Sequence, residues 1–404
     1  MNIVIAAVSS NRSISGVSRH AANLARCLLM RPETSALHVL VAPWEERYVR
    51  DAISRNDRRL CIHALSLPSG TLHRNLWYYR SLPAVAEQLR ADVAHLAYPS
   101  PLGRNTFRCP TVVTLHDLYP YDIASNFGFP KVLFNRAILQ QCLRNANAIA
   151  CVSDSTRLRL GVRMPQLLPK AVTICNCAES GPTPRMPSFV ATWMDQPFLL
   201  CVAQHRRNKN VLFALQVFKR MLTSGGLRQN MRLVIVGMPG PESGRIHRFV
   251  RSANLAEHVV LVQGISDAEL NWCYRNCELL IAPSTIEGFG LPVVEAQLAG
   301  CRIVCSDIPA FREVGSAGCR FVSLTADGVE AFASEVAASL GSRRPLPSSL
   351  PHISPPAIAE QYLRLYRRLL ARPETAVGSG RVGRSEKGQA ESALSPDLPT
   401  AARS

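Results

Sequence analysis

Short apolar runs recur along the chain, separated by segments with helical periodicity. In the first half the runs are Ile3–Val8, Leu37–Ala42, Val93–Leu96, Thr111–Leu115 and Ala148–Val152, with helical stripes at His20–Leu29 and Leu82–Arg90. Runs apolar at every position mark strands covered on both faces, and their alternation with helices predicts βαβ units in a doubly wound sheet. The rhythm restarts at Phe198–Val202, Arg232–Val236, Val259–Val262, Leu279–Ala282 and Arg302–Cys305. Helices are predicted between these strands at Val211–Leu222, Asp267–Arg275 and Pro292–Ala299. The stretch Ala178–Pro187, AESGPTPRMP, carries neither period and reads as a linker. The expected organisation is therefore α/β, with a first domain at 1–177, a linker at 178–190 and a second domain at 191–357. A helix follows at 358–372, with its stripe on Ile358, Tyr362, Leu365, Tyr366 and Leu369. Residues 373–404 are rich in Gly, Ser, Ala and Pro and are expected to be a disordered tail.

Composition narrows this picture. A chain of 404 residues, 47% hydrophobic and 19% charged, can bury two cores and is not a disordered one. No apolar run reaches ~18 residues, so no membrane-spanning helix is expected. The start, MNIVIAAV, lacks the basic region of a signal peptide and reads as a buried strand. The 13 cysteines are odd in number and form no paired CxxC sets. They read as reduced thiols of a cytosolic protein, with no structural zinc.

The formal charge of +17 points to anionic partners: nucleic acid, an anionic membrane surface or phosphorylated ligands. Residues 1–180 carry +10 of it, and the tail from Glu374 onward is neutral. Arg47, Arg50, Arg55, Arg58 and Arg59 cluster in the first domain, and Arg74, Trp77, Tyr78, Tyr79 and Arg80 interleave basic and aromatic side chains. That pattern suits the surface of an anionic bilayer, and equally a plain solvated face.

The segment Pro283–Glu295, PSTIEGFGLPVVE, follows an apolar strand. It places Glu287 before a glycine loop and Glu295 on a helix opened by Pro292. Glycines let backbone N–H groups approach a ligand, a helix N-terminus favours phosphate, and carboxylates accept hydrogen bonds from sugar hydroxyls. The string Pro283-Ser284, Glu287 to Pro292, Glu295-Ala296, then Gly300, Ser306-Asp307 and Glu313-Val314, resembles the donor-binding region of retaining glycosyltransferase family four. The resemblance covers roughly residues 1–370 and is more specific in the second half. It implies the GT-B architecture, two facing Rossmann-like domains with a nucleotide-sugar in the cleft. It also implies a metal-independent, retaining transferase without a cofactor, holding donor on the second domain and acceptor mainly on the first.

By that resemblance Glu287 orients the transferred sugar and Glu295 binds the ribose. Ser284, Gly288, Phe289, Gly290 and Leu291 line the donor, mainly through backbone amides. In Gln204-His205-Arg206-Arg207-Asn208-Lys209-Asn210, Lys209 matches the lysine that binds the diphosphate. The chain departs from the family with Ala203 where glycine is common and Gln204 where an arginine often sits. Arg206 and Arg207 are the candidates to compensate, against a solvated-surface reading. His116, in Thr114-Leu115-His116-Asp117 at a strand end, is the candidate to bond sugar or phosphate, and Asp117 to bind acceptor or cap the next segment. Gly16, in Ser15-Gly16-Val17-Ser18, resembles the family's first loop, and the absence of a full GxGxxG disfavours a dinucleotide. Ser153 or Asp154 reads as a cap of the next helix.

The expected function is transfer of a hexose, mannose being one candidate, from a nucleotide diphosphate sugar to a glycan or polyprenyl-linked acceptor in surface polysaccharide biosynthesis. The expected location is cytoplasmic, at the cytosolic face of the inner membrane if the basic first half meets lipid. The alternatives are a sugar-phosphate synthase or phosphorylase of the same fold, a catalytically dead paralogue, and a nucleic-acid-binding protein. The last rests on charge alone, since no nucleic-acid-binding signature accompanies it, and nucleic acid is not an expected partner.

Overall fold

Strand β1, Asn2–Ala6, shows why these runs have no polar face. Its Ile3 and Ile5 enter one core while Val4 and Ala6 enter another, because successive side chains alternate across a strand. In the computed structural model β1 is joined by β2 (Ala36–Val41), β3 (Leu60–Ala64), β4 (Val93–Leu96), β5 (Thr111–Leu115), β6 (Ala148–Cys151) and β7 (Ala171–Thr173). They form a parallel sheet in the order β3-β2-β1-β4-β5-β6-β7. Register is set by pairs such as Ile3 with Leu37 and Val93. The helices Gly16–Leu29 and Pro43–Ile53 cover one face, and Thr71–Gln88, Lys131–Asn145 and Asp154–Arg163 cover the other.

The second sheet contains β8 (Phe198–Val202), β9 (Arg232–Val236), β10 (Val259–Val262), β11 (Leu279–Ala282), β12 (Ile303–Ser306) and β13 (Cys319–Val322). Its order is β10-β9-β8-β11-β12-β13, again parallel. The structure describes all residues except 11–13, 15, 54–56, 69, 127, 194–195 and 372–404. The readings made for Ser15, Arg55 and the tail fall outside the described residues.

In both sheets the strand order reverses beside the first strand, between β1 and β4 and between β8 and β11. Open parallel sheets bind ligands at the carboxyl ends of the strands flanking such a reversal. The loops after β8 and β11 are the ones that carry Lys209 and Glu287.

The last helix, Pro355–Leu370, returns to the first sheet. Ile358, Tyr362, Leu365 and Tyr366 are buried there beside the helix Gly16–Leu29, and Leu369 packs at the margin. Full burial of each large side chain stabilises the assembly by ~1.5–3 kcal/mol, so the helix binds both ends of the chain into one body, Met1–Leu370.

Three expectations change. The helix read at Leu82–Arg90 begins at Thr71 and holds Pro83 in its interior. Its first turns bury few apolar side chains and expose Leu72, Leu76 and Tyr79, which blurs the helical period. Within the basic cluster Arg59 is committed to structure, donating to the carbonyls of Leu29, Arg31 and Thr34 and pairing with Asp57, whereas Arg47 and Arg50 stay exposed and pair with Asp51 and Glu46 of their own helix. Of the basic–aromatic set, Tyr78 is fully buried on the Val8 carbonyl and Arg74 lies over the Tyr98 ring, so Tyr79 and Arg80 are its exposed members.

Candidate active site

One wall of the site comes from the second sheet. After β8 the chain runs to a short turn, Arg207–Lys209, and Asn210 adopts a left-handed conformation (φ 53°) before the helix Val211–Thr223. Asparagine tolerates that region better than most residues. After β11 the segment Pro283–Gly290 leads into the helix Leu291–Leu298, with Pro292 in its first turn. The two loops are joined: the Thr285 N–H donates to the Asn208 carbonyl at 2.8 Å. Lys209 Nζ lies 2.6 Å from Glu287 Oε1, and that oxygen also accepts from Ser284 Oγ at 2.7 Å. Glu287 is only 6% exposed, and a carboxylate at that depth needs the ammonium and hydroxyl it has.

The other wall comes from the first sheet. His116 follows β5, and its Nε2 donates to the Ala97 carbonyl at 2.9 Å. Burial holds its imidazole below the ordinary range. A Cβ added to Gly288 would lie 1.8 Å from the His116 carbonyl oxygen, so glycine is required where the two backbones meet. Asp117 accepts the Tyr119 N–H at 3.0 Å. Burial pushes its carboxyl up to about 6, a rise that Glu287 reinforces and that Arg159 and Arg206 oppose. The Tyr119 hydroxyl in turn accepts from Asn208 Nδ2 at 3.1 Å, tying the walls together.

A clamp beside the site fixes their spacing. Ser153 and Thr156 donate to the Gly288 carbonyl, and Arg159 donates to the Glu287 carbonyl while pairing with Asp122. Ser153 also accepts the Thr156 N–H, capping the helix Asp154–Arg163 as its sequence suggests. Glu313, from the second sheet, accepts the N–H groups of Asp154 and Ser155 at 2.8 and 3.1 Å, where a helix N-terminus favours an anion.

Residues 188–343 match the model of glycosyl transferases group 1, and residues 14–176 match that of glycosyltransferase family 4. The chain belongs to this glycosyltransferase family. It is 26% identical over 216 residues to O-antigen chain mannosyltransferase B of Escherichia coli, covering 51% of this chain and 56% of that protein. It is 25% identical over 223 residues to O-antigen chain mannosyltransferase RfbU of Salmonella typhimurium, covering 55% of this chain and 58% of the relative. The chain thus spans less than three-fifths of either relative. The pneumococcal O-GlcNAc transferase GtfA, solved with UDP and GlcNAc, superposes with a TM-score of 0.63 at 12% identity, over 92% of this chain and 99% of that one. WaaG, a glycosyltransferase involved in lipopolysaccharide biosynthesis, gives 0.61 at 15% identity, over 92% and 96%. These likenesses establish the GT-B fold.

Within this family member the structure gathers Lys209, Glu287, Ser284, Gly288, His116 and Asp117 at one place. Arg206 acts on Asp117 and Tyr119, whereas Arg207 is exposed. Phe289 is a core side chain, Gly290 (φ 103°) fits against the Phe311 ring, and Leu291 opens its helix. Glu295, on the helix Leu291–Leu298, accepts from the Tyr274 hydroxyl at 2.8 Å. Its carboxyl is raised by burial and opposed by Arg19, which itself pairs with Asp267 at 2.6 Å. Gly16 opens the helix that bears Arg19, with nothing within 4 Å of where its Cβ would stand.

Sequence reasoning assigned no role to Tyr119, Arg159 or Arg19. Asn208 and Glu313 were at least inside the strings that carry the resemblance. Among the described residues, no group of three His, Cys, Asp or Glu side chains is placed to hold a metal, and no helix is long and apolar enough to cross a membrane.

Proposed function

We propose that the protein transfers a hexose from a nucleotide diphosphate sugar to a glycan or polyprenyl-linked acceptor, with retention of configuration and without a metal or cofactor. GDP-mannose is the first donor to test, because the O-antigen relatives are named mannosyltransferases. The observation that carries the reading is the Lys209–Glu287–Ser284 cluster at the carboxyl ends of β8 and β11, facing His116 and Asp117 across the cleft.

The chemistry follows from the charges. A diphosphate entering beside Lys209 competes with Glu287 for the ammonium, which then offsets the charge that grows on the leaving group. Arg206 adds a second cation on that side. Glu287, still held by Ser284, is left to accept from a sugar hydroxyl. His116 has its Nε2–H committed to Ala97, so its bare Nδ1 serves as a further acceptor. As the bond from the anomeric carbon to the diphosphate breaks, the acceptor oxygen bonds to that carbon on the same face and its proton passes to the diphosphate.

The first test is a thermal-shift screen of nucleotide sugars, followed by transfer assays in EDTA. Stabilisation by one donor and full turnover in EDTA are expected, with Lys209→Ala or Glu287→Ala lowering kcat by about 10²–10³-fold. Wild-type turnover in Lys209→Ala, or a strict requirement for a divalent ion, overturns the reading.

An anionic membrane surface belongs to the same proposal. The helices Thr71–Gln88, Lys131–Asn145 and Asp154–Arg163 share one layer of the first sheet, and their outer sides expose Leu72, Tyr79, Leu133, Leu158 and Val162. Arg80, Lys131 and Arg163 are exposed among them, the mixture that suits an anionic interface. Pelleting with anionic but not zwitterionic vesicles is expected. Equal binding to both rejects charge as the cause.

A further inference from the structure

A buried polar chain runs beneath His116. Thr114 and His95 are fully buried, and His20 nearly so. The Thr114 hydroxyl lies 3.1 Å from His20 Nε2 and 2.8 Å from His95 Nε2. His20 Nδ1 lies 3.0 Å from Asn176 Oδ1, and His95 Nδ1 lies 2.5 Å from the Tyr366 hydroxyl.

With the Asn176 amide oxygen turned to His20, as it stands here, one set of proton positions satisfies every link. The Asn176 carbonyl oxygen can only accept, so His20 carries its proton on Nδ1 and its Nε2 is bare. A hydroxyl donates once, and Thr114 therefore donates to His20. His95 Nε2–H then donates to Thr114, which leaves His95 Nδ1 to accept from Tyr366. Both imidazoles must be neutral, and burial holds them so: His20 well below the ordinary range and His95 down to about 3. The titratable groups facing these rings are each other, His116, and Tyr362 and Tyr366 from the return helix. The His20 ring meets the His116 ring edge-on, with centroids 4.7 Å apart.

We propose that Asn176, His20, Thr114, His95 and Tyr366 are positioning residues for His116, locking the His20 ring as the wall that holds His116 with Nδ1 presented as an acceptor. The proposal rests on the transferase reading above. It also gives the chain's two crossings a shared purpose. Asn176 lies where the chain leaves the first sheet, and Tyr366 lies on the helix that returns to it, so both crossings end on the Thr114 hydroxyl.

The test is imidazole ¹⁵N NMR on the full chain, joined to kinetics of two variants. The wild type is expected to show His20 as the Nδ1–H tautomer and His95 and His116 as Nε2–H tautomers, with His20 and His95 unchanged from roughly pH 5 to 8. Tyr366→Phe removes the donor to His95. The His95 ring is then no longer held at Nδ1 and the Thr114 hydroxyl loses its fixed direction, while Asn176 keeps His20 as the Nδ1–H tautomer, and kcat falls about tenfold with donor KM little changed. Asn176→Asp sets a carboxylate against His20 Nδ1 and favours the imidazolium. A new acid limb in kcat is then expected, with activity recovered at higher pH.

An Nε2–H tautomer at His20 in the wild type overturns the proposal. So do variants that keep the wild-type kcat and pH profile while only Tm falls. The wild-type tautomers decide the matter even if both variants fail to fold. They are read without any substrate, so an error about the donor and an error about the chain of bonds give different results.

Discussion

The two walls of the cleft use opposite electrostatics. On the second sheet, Lys209 pairs with Glu287, and Arg206 adds a further charge that reaches Asp117 of the first. On the first sheet, His20, His95 and His116 are all held toward neutrality by burial, and the bonds around them run through Thr114, Asn176 and Tyr366. A charged wall can answer a diphosphate whose charge changes during reaction. A set of neutral, hydrogen-bonded histidines cannot, but it can hold an acceptor atom in a fixed direction for a hydroxyl. On the proposed mechanism the first sheet answers a demand for geometry and the second a demand for charge. The place where the walls touch should therefore be the most sensitive.

That place is Gly288, and substituting it should produce the largest effect. In Gly288→Ala the new methyl meets the His116 carbonyl, which is backbone and cannot swing aside. The walls must separate, and kcat/KM is expected to fall about 10²-fold, the scale of a displacement near 1 Å. Gly290→Ala is the contrast. It forces a left-handed residue against the Phe311 ring inside the second sheet's own core, so Tm should fall with a smaller loss of kcat at permissive temperature. Equal kinetic losses in the two variants would mean that the contact between the walls has no special standing.

The walls also differ in how much of them the sequence discloses. The charged wall is made of two loops that each follow a central, fully covered strand, so Lys209 and Glu287 stand at the ends of conspicuous apolar runs. The neutral wall draws His20 from a helix, His95 and Thr114 from strand interiors, and Tyr366 from the far end of the chain. A buried histidine in a strand reads as an interruption, and no local pattern marks its partner across hundreds of residues. The fold shows the same split. The central strands were legible, and so was the edge strand β10 with its continuous VVLV, whereas the edges β3, β7 and β13 are only partly covered, and LCIHA, AVT and CRFV lack a continuous apolar run. The return of the last helix to the first sheet was not legible either, because an amphipathic stripe says that a face is buried and not against what.

The next effect is pH-dependent and reads the boundary between charge and neutrality at Asp117. Its carboxyl is near 6 in the folded protein against about 3.9 unfolded. The folded state therefore holds its proton more tightly. Its contribution to stability is fully present below about pH 4 and is lost as pH rises through 6, at about 1.4 kcal/mol per pH unit between the two values. Asp117→Asn keeps an acceptor for the Tyr119 N–H and removes the titration. Chemical denaturation from pH 4 to about 7 should show the Asn variant with a flatter profile and the higher stability at neutral pH. An unchanged profile in the variant would show that Asp117 is ionised at little cost.

The smallest effect concerns the clamp. Ser153→Ala removes a helix cap and one donor to the Gly288 carbonyl together, and a lost cap costs about 1 kcal/mol. Glu313→Gln keeps an acceptor over the same helix terminus but removes its charge, worth about 0.3–1 kcal/mol. Both act on the helix Asp154–Arg163 and both reach across the walls, so their effects on stability should not add. A coupling of about 0.5 kcal/mol or more is expected in the double variant, where independent sites add closely. Donor KM should rise a few-fold in each single variant while kcat changes less, because the clamp sets the spacing of the walls without touching the reacting atoms. Strict additivity with unchanged KM would make Ser153 and Glu313 ordinary caps, and would leave the Gly288–His116 contact, the Asn208–Tyr119 bond and Arg159 to register one wall on the other.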